Sequence, residues 1–146
     1  MSTSAKKIDI RQLLPEEIDL LVEDAGQKSF RAKQIRQWLW QKGAASFEEM
    51  TNLSKDLRQY LNERYVINAI VEDKVQRSLD GTIKSRFRLH DGHLIESVLI
   101  PVPSDKRFTV CVSSQVGCSL SCKFCASGLM KRHRNLDAAE ICDQVV

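Results

Sequence analysis

The sequence predicts a mixed fold: a small helical segment, then a β-meander, then the first strand–loop–helix unit of a parallel α/β fold. Three observations predict it. Apolar residues recur with helical period between residues 8 and 65, and alternating strands separated by two Asp-Gly pairs follow. A short apolar run, 108–112, then leads into a cysteine-rich loop. We therefore expect three segments, 1–65, 66–103 and 104–146, which taken alone amount to an α+β chain.

Composition restricts the function classes. The chain has 146 residues, of which 42% are hydrophobic and 28% charged, as in folded globular proteins rather than disordered ones. The net charge of +3 permits nucleic-acid binding without arguing for it. No apolar run is long enough for a signal peptide or a membrane span, so we expect a cytoplasmic protein. Five cysteines in a reducing compartment favour metal binding over structural disulfides.

The first segment reads as three helices. Pro15, followed by two glutamates, opens the first helix, and Gly26 ends it. Apolar spacing predicts a second helix over 31–42, and Ser54 is placed to cap a third. The residues 47–53 suggest a further short helical turn.

The middle segment reads as three alternating strands, 66–75, 82–89 and 94–100. Asp80-Gly81 and Asp91-Gly92 predict tight two-residue turns, because both residues of such a pair tolerate positive φ. Two prolines, Pro101 and Pro103, are expected to end the meander.

The middle strand has a basic face. Lys84, Arg86 and Arg88 alternate along it and therefore share one face of the sheet. An ordinary solvated face is one interpretation. A basic strip beside an RNA channel is the other.

The last segment begins with a buried strand over 108–112, from whose C-terminal end the cysteine loop leaves. Lys131, Arg132 and Arg134 add positive charge after the loop and are further candidate RNA contacts. Asp137 and Glu140 predict the start of a helix. Its expected inner face is Ala138, Ile141, Cys142 and Val145. The pattern stops in mid-helix, so we expect an N-terminal portion of a longer protein.

The cysteine loop carries the chemistry. Cys118, Cys122 and Cys125 have the spacing C-x3-C-x2-C, between Gly117 and Gly128. Three thiolates on one loop are one ligand short of a closed metal site, which leaves a metal open to a small molecule. Two alternatives remain: a structural zinc site completed by His133, or three unrelated core cysteines.

The residues around this loop resemble a known family. C-x3-C-x2-C is similar to the cluster loop of radical S-adenosylmethionine enzymes. The longer string C-V-S-S-Q-V-G-C-x-L-x-C-x-F-C, residues 111–125, resembles the radical-SAM ribosomal RNA adenine-C2 methyltransferases, which also act on certain transfer RNAs. The string F-R-A-K-Q-I-x-x-W-L-W-x-K-G, residues 30–43, resembles the N-terminal accessory domain of the same family.

This resemblance implies a fold, cofactors and partners. It implies the start of a radical-SAM (β/α) partial barrel, a [4Fe-4S] cluster held by the three loop cysteines, and S-adenosyl-L-methionine bound at the open iron. Implied partners are 23S rRNA, tRNA and an electron donor such as a flavodoxin-type protein, with no membrane and a monomeric state.

It also implies residue roles. Phe124 matches an aromatic position beside the cofactor, and Glu96 matches a proton acceptor. Methylation at C2 is implied to pass through a methylated cysteine that this sequence lacks. Cys111 matches the cysteine that resolves the resulting adduct and forms a disulfide with the methyl-carrying one. By itself the chain is therefore expected not to turn over.

Two other functions stay open at this point. One is a radical-SAM enzyme acting on a small substrate, and the other is a zinc-stabilised RNA-binding module. The identity of the bound metal separates the second from both enzyme readings, because an iron–sulfur protein is coloured and redox-active whereas zinc is neither.

Overall fold

The computed structural model describes residues 7–145, which form two compact units divided between Asn68 and Ala69. Helices dominate the first unit and an antiparallel sheet dominates the second, so the class is α+β. Among the described residues, every helix is too short or too polar to cross a membrane.

Three helices and one short strand pair form the first unit. They are β1 (Ile8–Asp9), α1 (Pro15–Asp24), α2 (Phe30–Trp40), α3 (Lys55–Arg64) and β2 (Tyr65–Val66), with β1 and β2 parallel. Pro15 occupies the first turn of α1, and the Ser54 hydroxyl accepts a hydrogen bond from the Leu57 N–H at the start of α3. The three predicted helices are confirmed.

The core of this unit comes from one face of each helix and from the segment between α2 and α3. Its largest fully buried side chains are Ile10, Ile18, Val22, Ile35, Met50, Leu57 and Leu61. The segment 47–53 contributes three buried side chains but consists of hydrogen-bonded turns. The helical turn predicted there is wrong. Apolar residues at this spacing indicate only that their side chains are buried, and hydrogen-bonded turns bury them as well as a helix does.

The second unit is built on a four-stranded antiparallel sheet. The strands are β3 (Val71–Arg77), β4 (Ile83–Arg88), β5 (Leu94–Val102) and β6 (Arg107–Cys111), adjacent in chain order. The three-strand meander is confirmed, except that the first predicted strand is interrupted between β2 and β3.

The two turns differ from the prediction. Each hairpin closes over three residues, with Ser78 N–H donating to Thr82 O and Leu89 N–H to His93 O. Only the glycines have positive φ, +87° at Gly81 and +85° at Gly92. Each aspartate side chain instead accepts a hydrogen bond from the N–H two residues on, which favours a type I turn followed by a left-handed glycine.

The strand β6 corrects a prediction. The run 108–112 was expected to be a buried parallel strand, but β6 pairs antiparallel with β5, and Phe108 is 63% exposed. The connection between β5 and β6 is only four residues long, whereas a parallel connection needs a dozen or more. Pro101 does not end β5. The last β5 residue that pairs with β4 is Leu99, so the missing N–H of Pro101 interrupts no hydrogen bond to β4.

The remaining elements are β7 (Gln115–Val116), β8 (Arg134–Asn135) and α4 (Ala138–Cys142). They cover a small core of Leu89, Ile95, Val116 and Leu136. The predicted capping role of Glu140 is confirmed, because its carboxylate accepts from the Asp137 N–H. The predicted inner face is confirmed at Ile141, which packs against this core, and is wrong at the other three positions. Ala139, Glu140 and Gln144 are buried, whereas Ala138, Cys142 and Val145 are exposed.

Candidate metal centre and its surroundings

The cysteine loop is closed at its base by a two-stranded pair. Strands β7 and β8 are antiparallel, with Val116 opposite Arg134. Cys118 N–H donates to Met130 O at 3.2 Å, and His133 N–H donates to Val116 O at 2.9 Å. The residues 117–133 therefore form one closed loop that contains all three predicted ligand cysteines.

Two glycines allow this loop to fold back on itself. Gly117 has φ +75°, and a Cβ added there would lie 2.1 Å from the Lys131 carbonyl oxygen. A Cβ on Gly128 would lie 2.5 Å from the Cys122 carbonyl oxygen, although its φ is not positive. Gly117 therefore needs both a positive φ and close backbone approach, whereas Gly128 needs close backbone approach alone.

The loop thiols are free. Cys118, Cys122 and Cys125 are half-buried, and none of the five cysteines forms a disulfide within the chain. Backbone hydrogen bonds from Gly128 and Ser127 lower the pKa of the Cys125 thiol, which favours the thiolate that binds metal. Within residues 7–145, no three Cys, His, Asp or Glu side chains are yet gathered in a metal-coordinating arrangement.

These observations fit an iron–sulfur cluster better than a zinc site. The donor set is three free thiols on one closed loop. His133, which the zinc alternative needs as a fourth ligand, packs its ring against His93 with centroids 4.7 Å apart. Three thiolates without a fourth protein ligand suit a cluster with one open iron.

A cavity of about 470 Å³ connects the loop to the sheet. Glu96 on β5 and Cys118 both line it, together with Arg86. The other lining residues are Leu94, Ile95, Ser113, Ser114, Gln115, Gly117, Ser127 and Met130. The predicted proton acceptor and the first predicted ligand thus face one space.

Glu96 and Cys111 lie on the same face of the sheet. Glu96 is opposite Arg86, and Val98, two residues further along β5, is opposite Cys111. Directly opposed residues share a face, so the two are diagonal neighbours. The Glu96 carboxylate also lies 3.0 Å from the Lys84 ammonium. Cys111 is exposed on the outer strand.

The predicted basic strip is partly neutralised. The strand β3 shifts register between Glu72 and Lys74, and Asp73 at this irregularity ion-pairs with Arg86 at 2.6 Å and Arg88 at 2.5 Å. Hydrogen bonds from these two guanidinium groups hold the pKa of Asp73 below its ordinary value. Arg86 and Arg88 are therefore engaged within the sheet.

Arg134 has internal partners rather than a free charge. Its guanidinium donates to both carboxylate oxygens of Glu140 at 2.8 Å and to Asp91 at 2.7 Å. The RNA contact predicted for Arg134 stays a prediction. The hydrogen bonds to Glu140, and then those to Asp91, raise the pKa of Arg134.

The other predicted contacts of the loop face solvent. Phe124 is 94% exposed, and Leu120 and Leu129 are also exposed. Lys131 and Arg132 are exposed, with Arg132 donating to the Asn135 side chain at 2.8 Å. The cofactor-side packing expected of Phe124 stays a prediction.

Sequence reasoning missed one group that shapes the site. The Gln144 amide is buried, donates to Ser113 O at 2.8 Å, and accepts from Ser113 N–H at 2.8 Å. Ser113 lines the cavity and its hydroxyl donates to Glu96 O at 2.6 Å. A usable signal was present, because Glu140 and Gln144 are four residues apart and so share a helical face.

Comparison with known proteins identifies the first unit. The residues 8–67 match the model of the ribosomal RNA large subunit methyltransferase N-terminal domain. A probable dual-specificity RNA methyltransferase RlmN from Cytophaga hutchinsonii is 54% identical over 145 residues, 99% of this chain and 39% of that protein. Over the length that it shares with these relatives, the chain is similar to RlmN. The family resemblance predicted from the sequence is confirmed.

Two further comparisons give the same similarity. The dual-specificity RNA methyltransferase RlmN of Geotalea uraniireducens is 47% identical over 96% of this chain and 40% of its own length. A crystal structure of a radical SAM methyltransferase from Sphaerobacter thermophilus superimposes with a TM-score of 0.79 and 39% identity, over 94% of this chain and 40% of that one. The chain thus spans about 40% of the length of the relatives it matches.

Acid is expected to destabilise the second unit through Arg134 and its partners. Burial alone would raise the pKa values of Asp91 and Glu140, but hydrogen bonds from Arg134 outweigh it and leave both below their ordinary values of 3.8 and 4.5. A depressed folded-state pKa contributes stability that is complete above the ordinary value and is lost as the pH falls through the depressed one. Urea midpoints should therefore fall as the pH is lowered below about 4.5.

The variant Glu140→Gln checks this attribution. It should lower the urea midpoint at neutral pH and flatten its decline below about pH 4.5, because one titrating carboxylate is gone. Equal pH dependence in the variant and the parent chain would contradict the assignment.

Proposed function

We propose that this chain supplies the cluster-binding loop and part of the RNA-facing surface for radical S-adenosylmethionine-dependent methylation of C2 of adenine in 23S rRNA and certain tRNAs. The relatives are named dual-specificity RNA methyltransferases, and the structural neighbour is named a radical SAM methyltransferase. The remaining length of such relatives would complete the active site.

One observation carries the proposal. Cys118 on the closed loop and Glu96 on β5 line the same cavity, and Cys111 shares the sheet face of Glu96. The same family resemblance implies their roles as ligand, proton acceptor and resolving thiol, and it does not by itself say where the three side chains lie. A chain without this function would not be expected to place Cys118 and Glu96 beside the same cavity.

The cofactor set follows from the donors. Cys118, Cys122 and Cys125 would hold a [4Fe-4S] cluster, and its open iron would bind S-adenosyl-L-methionine near Phe124. When bound, the pair supplies the one-electron chemistry that an unreactive adenine C2 requires.

The other residues handle protons and thiols. Glu96 would accept a proton, which requires the nearby Lys84 ammonium to release its carboxylate. Cys111 is exposed on the outer strand and so is accessible to a second thiol, the methyl-carrying cysteine expected elsewhere in the full-length protein. A disulfide between those two cysteines is part of the proposal.

The wider setting is also proposed. The residues 104–146 would begin the radical-SAM partial barrel, after an RNA-contacting helical domain over 1–65 and a β-meander over 66–103. The full-length protein would be a cytoplasmic monomer that receives electrons from a flavodoxin-type donor.

A chimera tests the function. We would join this chain to the part of the Cytophaga hutchinsonii relative that it does not match, and assay 2-methyladenosine in 23S rRNA and tRNA by mass spectrometry. The chimera is expected to form it, whereas this chain alone forms none. The matched control is the same chimera with Cys122→Ser. Product from that control, or none from an intact and iron-loaded chimera, would contradict the proposal.

RNA binding makes a separate prediction. Lys131 and Arg132 are exposed beside the loop, so replacing either by alanine should weaken RNA binding at low salt and reduce the slope of log affinity against log salt by about 1. Arg88→Ala is the comparison, because that guanidinium already pairs with Asp73. Fluorescence anisotropy with a hairpin RNA measures all three. Equal loss from the three variants would contradict the assignment.

A further inference from the structure

At the base of the cysteine loop, the entry and exit segments are hydrogen-bonded to each other. The chain enters the loop through Ser113–Val116 and leaves it through His133–Leu136. Leu136 N–H donates to Ser114 O at 2.9 Å, in addition to the β7–β8 pairing. Entry and exit segments are therefore held to each other.

Helix α4, with the turn that follows it and carries Gln144, holds both segments from one side. Its Glu140 carboxylate accepts both hydrogen bonds from Arg134 on the exit segment, each at 2.8 Å. One turn later, the Gln144 amide makes both of its 2.8 Å hydrogen bonds to Ser113 on the entry segment. Gln144 also donates to the Glu140 carbonyl at 3.1 Å. Glu140 is 2% exposed and Gln144 is 7% exposed.

Arg134 extends this arrangement to the sheet. Its Nε donates to Asp91 in the turn between β4 and β5 at 2.7 Å. The strand β5 follows that turn and carries Glu96. One guanidinium thus links the exit of the cysteine loop, helix α4 and the strand of the proposed proton acceptor.

We propose that Arg134 is a positioning residue that fixes the cysteine loop relative to Glu96. The proposal rests on the proposed function, since it assigns a role toward the cluster that the loop would hold. The planar guanidinium suits this role because it donates to two carboxylates at once in a fixed geometry. The ammonium of a lysine is a single point and cannot reproduce both contacts.

Iron retention tests the proposal in the reconstituted 146-residue chain. Arg134→Met should weaken iron retention about 10–100-fold, the range seen when residues behind metal ligands are replaced. Arg134→Lys should restore part of the loss. Arg107→Met is the matched control, because Arg107 is an exposed arginine whose ion pair is with Asp105, two residues away. It should retain iron like the parent chain.

Thiol labelling of the metal-free chain gives a readout that does not depend on iron. Arg134→Met should raise the labelling rates of Cys118, Cys122 and Cys125, while the rate of Cys111, which is exposed on β6 outside the loop and outside α4, stays unchanged as an internal reference. If Arg134→Met fails to fold by circular dichroism, Asp91→Ala replaces it, because it removes the acceptor of the sheet contact and leaves the Glu140 pair in place.

The outcomes separate the two claims. Unchanged labelling and unchanged iron retention in a folded Arg134 variant would overturn the positioning role and leave the proposed function intact. A parent chain that binds no iron would overturn the proposed function, and the labelling pattern alone would then decide whether Arg134 fixes the loop.

Discussion

Replacing Cys118, Cys122 and Cys125 together with serine is expected to abolish iron binding by the reconstituted chain. Serine keeps the size and loses the thiolate that binds iron. The parent chain should take up about four irons and about four sulfides per chain, and the triple variant close to none. Iron and sulfide analysis, with the visible spectrum, measures the difference.

The other two cysteines provide the control. Cys142 and Cys111 are exposed and lie outside the C-x3-C-x2-C spacing, so serine at either position should leave iron content unchanged. Iron binding that survives the triple replacement, or that disappears with Cys142→Ser, would show that the loop is not the cluster site.

Gly117→Ala is expected to open the base of the cysteine loop. The added methyl group meets the Lys131 carbonyl at 2.1 Å, and the φ of +75° is itself unfavourable for alanine. Backbone strain of this kind costs about 1–3 kcal/mol before any crowding is counted. We expect a lower free energy of unfolding for the second unit, together with loss of iron uptake.

Two other glycines separate the two causes. Gly92 has φ +85° but open space around it, so Gly92→Ala reports the φ cost alone. Gly128→Ala reports crowding alone, because a Cβ there meets Cys122 backbone atoms without a positive φ. Urea unfolding of the three variants should rank Gly117→Ala as the most destabilised. A cost equal to that of Gly92→Ala would contradict the close approach at Lys131.

Much of the fold was accessible from local sequence signals. Pro15 and Ser54 predict helix starts, because proline favours the first helical turn and a serine hydroxyl caps the N–H groups there. Both helices begin where expected. The alternation along β4 likewise predicted its face, because the side-chain period of a strand is fixed. The family itself was accessible because the cysteine string is long.

What sequence could not supply depends on partners distant in the chain. From the sequence alone, Arg134 is predicted to be a surface charge, because only the fold brings Glu140 and Asp91 beside it. From the sequence alone, Cys142 is predicted to be a core residue, but the fold buries Glu140 and Gln144 and leaves Cys142 exposed. The strand β6 has the composition of a buried strand, but the short connection to β5 decides its pairing. In each case a tertiary contact outweighed a local pattern.

Electron paramagnetic resonance can detect an iron–sulfur cluster with one open iron in this loop. The chain would be reconstituted anaerobically with iron and sulfide, reduced, and recorded with and without S-adenosyl-L-methionine. We expect about four irons per chain and a [4Fe-4S] signal that the cofactor perturbs. One tightly bound zinc and no iron would contradict it and leave a zinc-stabilised RNA-binding module as the better description.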